Sequence, residues 1–143
     1  MRKQENHLIF KLKFFNIKRL KSQIMKEDCI FCKIVDGEAK QGKFIYENKN
    51  FFSMPDYKPL TPGHALVISK KHFETILDLP STIGQELLDC IKHTALKVME
   101  KEKAEGFHVH NNNFSAAKQV VKHVHFHVLP RKNKDELDGK FIF

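Results

Sequence analysis

The stretch His123-Val124-His125-Phe126-His127-Val128-Leu129-Pro130 constrains the fold more than any other part of this chain. Imidazoles alternate strictly with apolar residues, and Val124, Phe126 and Val128 favour extended backbone, so the spacing predicts a β-strand over 123–130. Strand side chains point to opposite faces, which sends the apolar set into a core and leaves three imidazoles in a row, roughly 6–7 Å apart. Pro130 has no N–H for a sheet ladder and is expected to close the strand. An ordinary half-buried strand has no need of imidazole, because Lys, Thr or Glu would serve equally well on its outer face. Three in register point to a site.

The 143 residues fit one domain large enough for a core without disulfides. Cys29, Cys32 and Cys90 are too few and too unevenly spread for a disulfide scaffold, and suit a reducing, cytoplasmic compartment. No run approaches the roughly 20 apolar residues of a membrane helix. The formal charge of +8 would suit a nucleic-acid binder, but its distribution argues against one. Residues 1–24 hold Arg2, Lys3, Lys11, Lys13, Lys18, Arg19 and Lys21 against Glu5, a net of +6, which leaves +2 for the other 119 residues. Residues 1–24 therefore read as a basic extension, expected to be disordered, with Met25 a natural start for the domain at 25–143. Membrane or partner contact by a basic amphipathic helix is the competing reading of this segment.

Cys29-Ile30-Phe31-Cys32 follows, and two thiolates at this spacing can grip one zinc ion if two further ligands are supplied. A redox pair is the competing reading, although no βαβ pattern surrounds it. Lys43–Glu47 and Phe51–Met54 are β-prone and separated by a turn at Asn48-Lys49-Asn50. A proline-rich loop over 55–63 leads to a buried strand at His64–Ser69, with His72 just beyond it. Pro80-Ser81-Thr82 is expected to open the one long helix, Thr82 and Gln85 forming a capping box and Gly106 ending it. In that helix Cys90 reads as a small buried apolar residue and His93 as surface. Phe107–Asn111 alternates again as a strand, its two histidines read as outward polar positions in preference to a metal pair. A loop then feeds the triple-histidine strand, and the tail ends in Phe141-Ile142-Phe143.

With these pieces placed, the chain resembles the histidine triad family. The resemblance rests on His123-x-His125-x-His127 followed by two apolar residues, Gln119 four residues earlier, Asp56, the Gly63-His64 pair and the Cys-x-x-Cys. It covers about Lys26 to Lys132 in order. It implies an α+β fold with an antiparallel sheet of about five strands and one long helix, paired into a homodimer with a continuous sheet. Members of the family bind purine nucleotides and cleave a nucleoside monophosphate from its leaving group.

By the same resemblance His125 attacks the α-phosphorus to form a nucleotidyl-histidine, and His127 donates to phosphate oxygens. Gln119 and Asn112 correspond to phosphate-contacting amides, and Asp56 to the carboxylate that accepts from the ribose hydroxyls. Ile30, Phe31, Ile34, Met54 and Tyr57 fall where relatives line the base pocket, although core packing explains such residues nearly as well. In relatives with Cys-x-x-Cys, the first triad histidine and the histidine after the buried strand complete a structural zinc site. Here that set is Cys29, Cys32, His72 and His123, with no catalytic metal expected.

Three departures from the family pattern concern the loop before the triad. Lys118 and Phe114 stand where glycine is common, and Val120 replaces a hydroxyl. They put substrate choice and rate in question and leave three readings. The leading one is a nucleotidyl hydrolase of adenosine phosphoramidates or dinucleoside polyphosphates. The second is a catalytically weak AMP-binding module, and the last a catalytic metal site on the three histidines.

Overall fold

The computed structural model describes residues 26–40, 42–135 and 137; the basic extension and the Phe-Ile-Phe tail lie outside them. The chain runs α1 (Ile30–Val35), β1 (Tyr46–Glu47), β2 (Phe51–Pro55), β3 (Ala65–Ser69), α2 (Gly84–Glu102), β4 (Gly106–His110) and β5 (His125–Arg131). The strands form one antiparallel sheet in the order β1-β2-β3-β5-β4. The expected α+β architecture is present, five strands with one long helix.

Period-2 patterning sorts the two faces of the sheet. Phe51, Ala65, Val67, Phe126 and Val128 point one way and pack on Cys90, Ala95 and Val98 of α2. Phe52, Leu66 and Ile68 point the other way, against Cys29, Phe31, Cys32 and Ile34. The short helix α1 therefore roofs the face that carries the histidines, an element the sequence reading did not anticipate. Its six residues are too few to be stable alone, so packing holds it.

Several boundaries differ from expectation for physical reasons. The last strand begins at His125, because His123 lies in a bend before it. It also runs through Pro130 to Arg131. The Arg131 carbonyl accepts from Glu105 on the β4 side, so the Pro130 nitrogen faces the β3 side, where the β3 ladder has already ended. No ladder bond is lost there.

Residues 43–45 of the expected first strand stay outside the ladder, and the next strands are Phe51–Pro55 and Ala65–Ser69. The long helix starts at Gly84 after a 3₁₀ turn at Ser81–Ile83, with no side-chain cap. The capping box belongs instead to Thr75 and Asp78, one turn upstream. Lys103, at φ 52°, ends the helix in left-handed conformation, while Gly106 opens β4.

The loop from β4 to β5 contains Phe114 at φ 66°, ψ 164° and Lys118 at φ 61°. The Phe114 conformation is one that glycine alone adopts without strain, at a cost of about 1–3 kcal/mol for other residues. Its ring is 52% exposed, so truncation sacrifices little packing. Phe114→Gly is expected to stabilise the fold by about 1 kcal/mol after the extra unfolded-state entropy of glycine is subtracted. A lower urea midpoint for the variant than for the parent protein would contradict this account of the loop.

Candidate functional site: an imidazole cleft beside a buried cysteine-histidine cluster

The antiparallel pairing of β3 and β5 decides which residues meet. Chain leaving β3 and chain entering β5 lie at one end of the pair, which brings His72 and His123 together. There α1 adds its two thiols. The Cys29 sulfur is 3.3 Å from His123 Nδ1, and the Cys32 sulfur is 3.3 Å from His72 Nδ1 and 3.6 Å from His123 Nδ1. All four ligand atoms fall within 4.8 Å of one another. A tetrahedron with zinc–sulfur bonds near 2.3 Å and zinc–nitrogen bonds near 2.05 Å has sulfur–nitrogen edges of roughly 3.5 Å, so the donor set fits a zinc ion.

The tautomer fits as well. His123 is fully buried, and its Nε2 lies 2.8 Å from the Ser69 carbonyl, which can only accept, so the proton sits on Nε2 and Nδ1 faces the sulfurs. Burial holds the His123 imidazole down to about 4, reinforced by the neighbouring His72 and His125, and holds His72 below its ordinary value. Without a cation among them, burial and then the neighbouring Cys29 push the Cys32 thiol up to about 12. Three buried donors and the half-buried His72, which pay such desolvation apart, are suited to sharing a cation.

Two residues on, the His125 ring turns the opposite way. Its Nδ1 lies 2.7 Å from the His123 carbonyl, so Nδ1–H donates and the Nε2 lone pair is left available. The edge of Phe31 packs against both imidazoles, with ring centroids 5.6 Å from His123 and 5.3 Å from His125. Burial keeps the His125 imidazole below its ordinary value, opposed by the bond to His123 and by Asp56. A neutral imidazole with a fixed tautomer is what nucleophilic attack requires.

The other end of the β3–β5 pair gathers Asp56, His64, His110 and His127. The Leu60 N–H donates to His64 Nδ1 at 3.1 Å, which forces the proton of neutral His64 onto Nε2. That Nε2 lies 2.9 Å from His127 Nδ1, so His127 accepts there and carries its own proton on Nε2. One backbone amide thus sets two tautomers in series and leaves His127 a donor. His110 stacks on His127 with centroids 4.5 Å apart, as their opposed positions in β4 and β5 dictate. Burial, then His125, His110 and His64, push His127 down to about 3, and burial holds His64 and His110 low. Asp56 Oδ2 is 3.5 Å from His64 Nε2 and 3.9 Å from His127 Nδ1.

These groups line an open cleft of about 750 Å³. Its walls include every expected base-pocket residue, Ile30, Phe31, Ile34, Met54 and Tyr57, together with Asp56, Asn112, His125 and His127. Tyr57 is 91% exposed, so no core packing accounts for its place. Gln119 is absent from the lining. Its Oε1 accepts from the Phe114 N–H at 2.7 Å and its Nε2 donates to the Glu74 carbonyl at 2.6 Å, so both ends of the amide hold backbone. Sequence reasoning missed His64 and His110 as site residues. His64 was visible only through the Gly63-His64 match, and His110 only through its register with His127.

The chain matches the HIT domain family model over residues 38–134. An uncharacterised HIT-like protein of Methanocaldococcus jannaschii is 38% identical, with 79% of this chain and 86% of the relative covered. An adenosine 5′-monophosphoramidase of Candida albicans is 38% identical over 78% of this chain and 74% of its own length. The crystal structure of a zinc-bound histidine triad family protein from Mycobacterium smegmatis superposes with a TM-score of 0.72 at 37% identity, covering 78% of this chain and 81% of that one.

The low proton affinity of His127 makes a testable demand on stability. An unfolded histidine titrates near 6.5, so between about 6.5 and 3 the unfolded chain binds more protons. The stabilising contribution of neutral His127 is complete above pH 6.5 and is lost as pH falls through that window. Between pH 7 and pH 4.5 the parent protein should lose about 2 kcal/mol more than His127→Gln in urea unfolding. Equal losses in the two proteins would contradict the assignment. Fold, cleft and comparisons agree, and the chain belongs to the histidine triad (HIT) domain family.

Proposed function

We propose that the protein is a nucleotidyl hydrolase that transfers a nucleoside monophosphate through His125 to water. The observation that carries this reading is the pair of fixed tautomers, a lone pair on His125 Nε2 beside a proton on His127 Nε2. In the first step His125 Nε2 bonds to the α-phosphorus and the bond to the leaving group breaks, an amine leaving group taking its proton from solvent as it departs. His127 donates to a non-bridging oxygen, where negative charge grows. Water then breaks the phosphorus–nitrogen bond, releases the nucleoside monophosphate and restores neutral His125. Asp56 is assigned to the ribose hydroxyls, Asn112 to phosphate, and Ile30, Phe31, Ile34, Met54 and Tyr57 to the purine. Gln119 acts by holding the loop.

The relative named as an adenosine monophosphoramidase supports adenosine phosphoramidates as substrates, with dinucleoside polyphosphates the second class. Mass spectrometry after mixing with a slow adenosine phosphoramidate should find a nucleotidyl adduct on His125. His125→Ala should lose at least about 10³-fold in kcat/KM while still folding, as its far-UV circular dichroism would show. Full activity in His125→Ala would remove the nucleophile from this mechanism. Tight AMP binding without turnover of any such substrate would favour the weaker AMP-binding reading.

Cys29, Cys32, His72 and His123 would hold a zinc ion, which would supply a fixed crosslink between α1 and the start of β5. The domain on this reading begins at about Met25, so that α1 and its thiols belong to it. One zinc per chain by elemental analysis, lost in Cys29→Ser, is the expected result. A chelated protein should retain His125 reactivity until it unfolds.

A homodimer along β4 is part of the same proposal. Among the described residues β4 pairs only with β5, and Phe107 and Val109 are 45% and 39% exposed on it. An open strand edge with large apolar side chains is a surface that seeks a partner. Light scattering should give a dimer, and Phe107→Glu a monomer.

A further inference from the structure

The cleft contains a charge that the chemistry above does not use. Among its lining residues Lys58 and Lys118 are the permanent cations and Asp56 the carboxylate. Asp56 lies at the β2–β3 side of the two central imidazoles, whereas Lys118 belongs to the loop joining β4 to β5. A nucleotide with its ribose on Asp56 and its phosphorus over His125 therefore projects its leaving group towards the Lys118 loop.

Two features of Lys118 stand out. Its backbone is held at φ 61°, where a side chain is disfavoured, by its own N–H bond to the Ser115 carbonyl at 2.9 Å and by the Gln119 anchors beside it. Its ammonium nevertheless makes no hydrogen bond or ion pair among the described residues. Lys118 thus places in the cleft wall a charge that no contact among the described residues uses, on a backbone conformation that disfavours a side chain.

We propose that Lys118 recognises the leaving group, selecting nucleotides in which it carries anionic oxygens, as in a phosphate chain or a sulfate, over those in which it is an amine. The assignment rests on the nucleotidyl-transfer reading of the cleft. A lysine ammonium is a point charge suited to phosphate or sulfate oxygens. When the α-phosphorus bond breaks, an oxyanion leaving group gains negative charge and is stabilised by a nearby cation. An amine leaving group takes up a proton and departs neutral, so it develops no negative charge for a cation to stabilise.

The test compares diadenosine tetraphosphate, adenylyl sulfate and adenosine phosphoramidate on the parent protein, Lys118→Gln and Lys118→Arg. Both variants keep a side chain at φ 61°, so backbone strain is matched. In Lys118→Gln the ratio of kcat/KM for an oxyanion substrate to that for the phosphoramidate should fall about 10–100-fold, the worth of one charge-assisted contact. Lys118→Arg should restore most of it. A fall confined to the tetraphosphate identifies a phosphate chain as the ligand, and a fall for both oxyanion substrates identifies the shared chemistry. An unchanged ratio, or a parallel loss on all three substrates, overturns the proposal. If the parent binds nucleotides without turnover, loss of its preference for ATP over AMP in Lys118→Gln supports the proposal, and no change in that preference overturns it. Absence of both binding and turnover in the parent would overturn the nucleotidyl-transfer reading itself, and this assignment with it.

Discussion

The His123 ring and its peptide carbonyl tie the structure to its chemistry. Nε2 reaches back to the Ser69 carbonyl at the end of β3, Nδ1 faces the two thiols of α1, and the carbonyl fixes the His125 tautomer at 2.7 Å. One residue thereby joins the sheet, the roof over its histidine face and the orientation of the proposed nucleophile, His125. Because the ring is fully buried, each of these bonds acts in a medium where an unmade hydrogen bond is costly. The bend at His123, which delays the start of the strand to His125, frees its ring to turn towards α1 while His125 keeps the sheet register.

The rest of the cleft follows a second rule, that its imidazoles are neutral. Burial depresses His64, His110 and His127, and their mutual proximity adds to the effect at His110 and His127. Charged imidazoles packed 4.5–5.1 Å apart would repel one another, so neutrality allows the cluster to fold. It also gives direction, because each neutral ring is a donor at one nitrogen and an acceptor at the other. The Leu60 amide sets the first ring and the order propagates to His127. A polar network whose donors and acceptors are fixed at His64 and His127 can orient a substrate without reorganising during reaction.

Much of this was legible in the sequence where a period carried it. The alternation showed the strand and its two faces for His125 and His127, but not that His123 lies in a bend before it, and the apolar runs showed the other strands. The Cys-x-x-Cys joined to His72 and His123 only through family resemblance, because antiparallel pairing of distant segments leaves no local trace. His64 and His110 were illegible for the same reason, each being a single histidine at a strand end whose partner is a register position. Helix boundaries erred where a lysine took the left-handed conformation that glycine usually supplies, and where a 3₁₀ turn preceded the helix. Gln119 was placed on phosphate by motif, whereas its burial and two backbone bonds give its amide a structural task.

The loop over residues 111–122, where the resemblance puts glycine at the places of Phe114 and Lys118, also holds two of the four non-glycine residues at positive φ among those described. These facts have one cause. The backbone path is dictated at both ends, by the Asn111 side chain on the His125 carbonyl and by Gln119 on Phe114 and Glu74, so a residue exchange cannot relax it. The conformation that suits glycine persists when phenylalanine or lysine occupies it, at a cost in stability. The imidazole strand is over-determined by its packing and tautomers, leaving little room for variation. Under the proposed chemistry this loop meets the leaving group through Lys118 in the cleft wall. On the proposed mechanism, a change of charge at Lys118 alters which nucleotides react while His125, its tautomer and the sheet beneath it stay as they are.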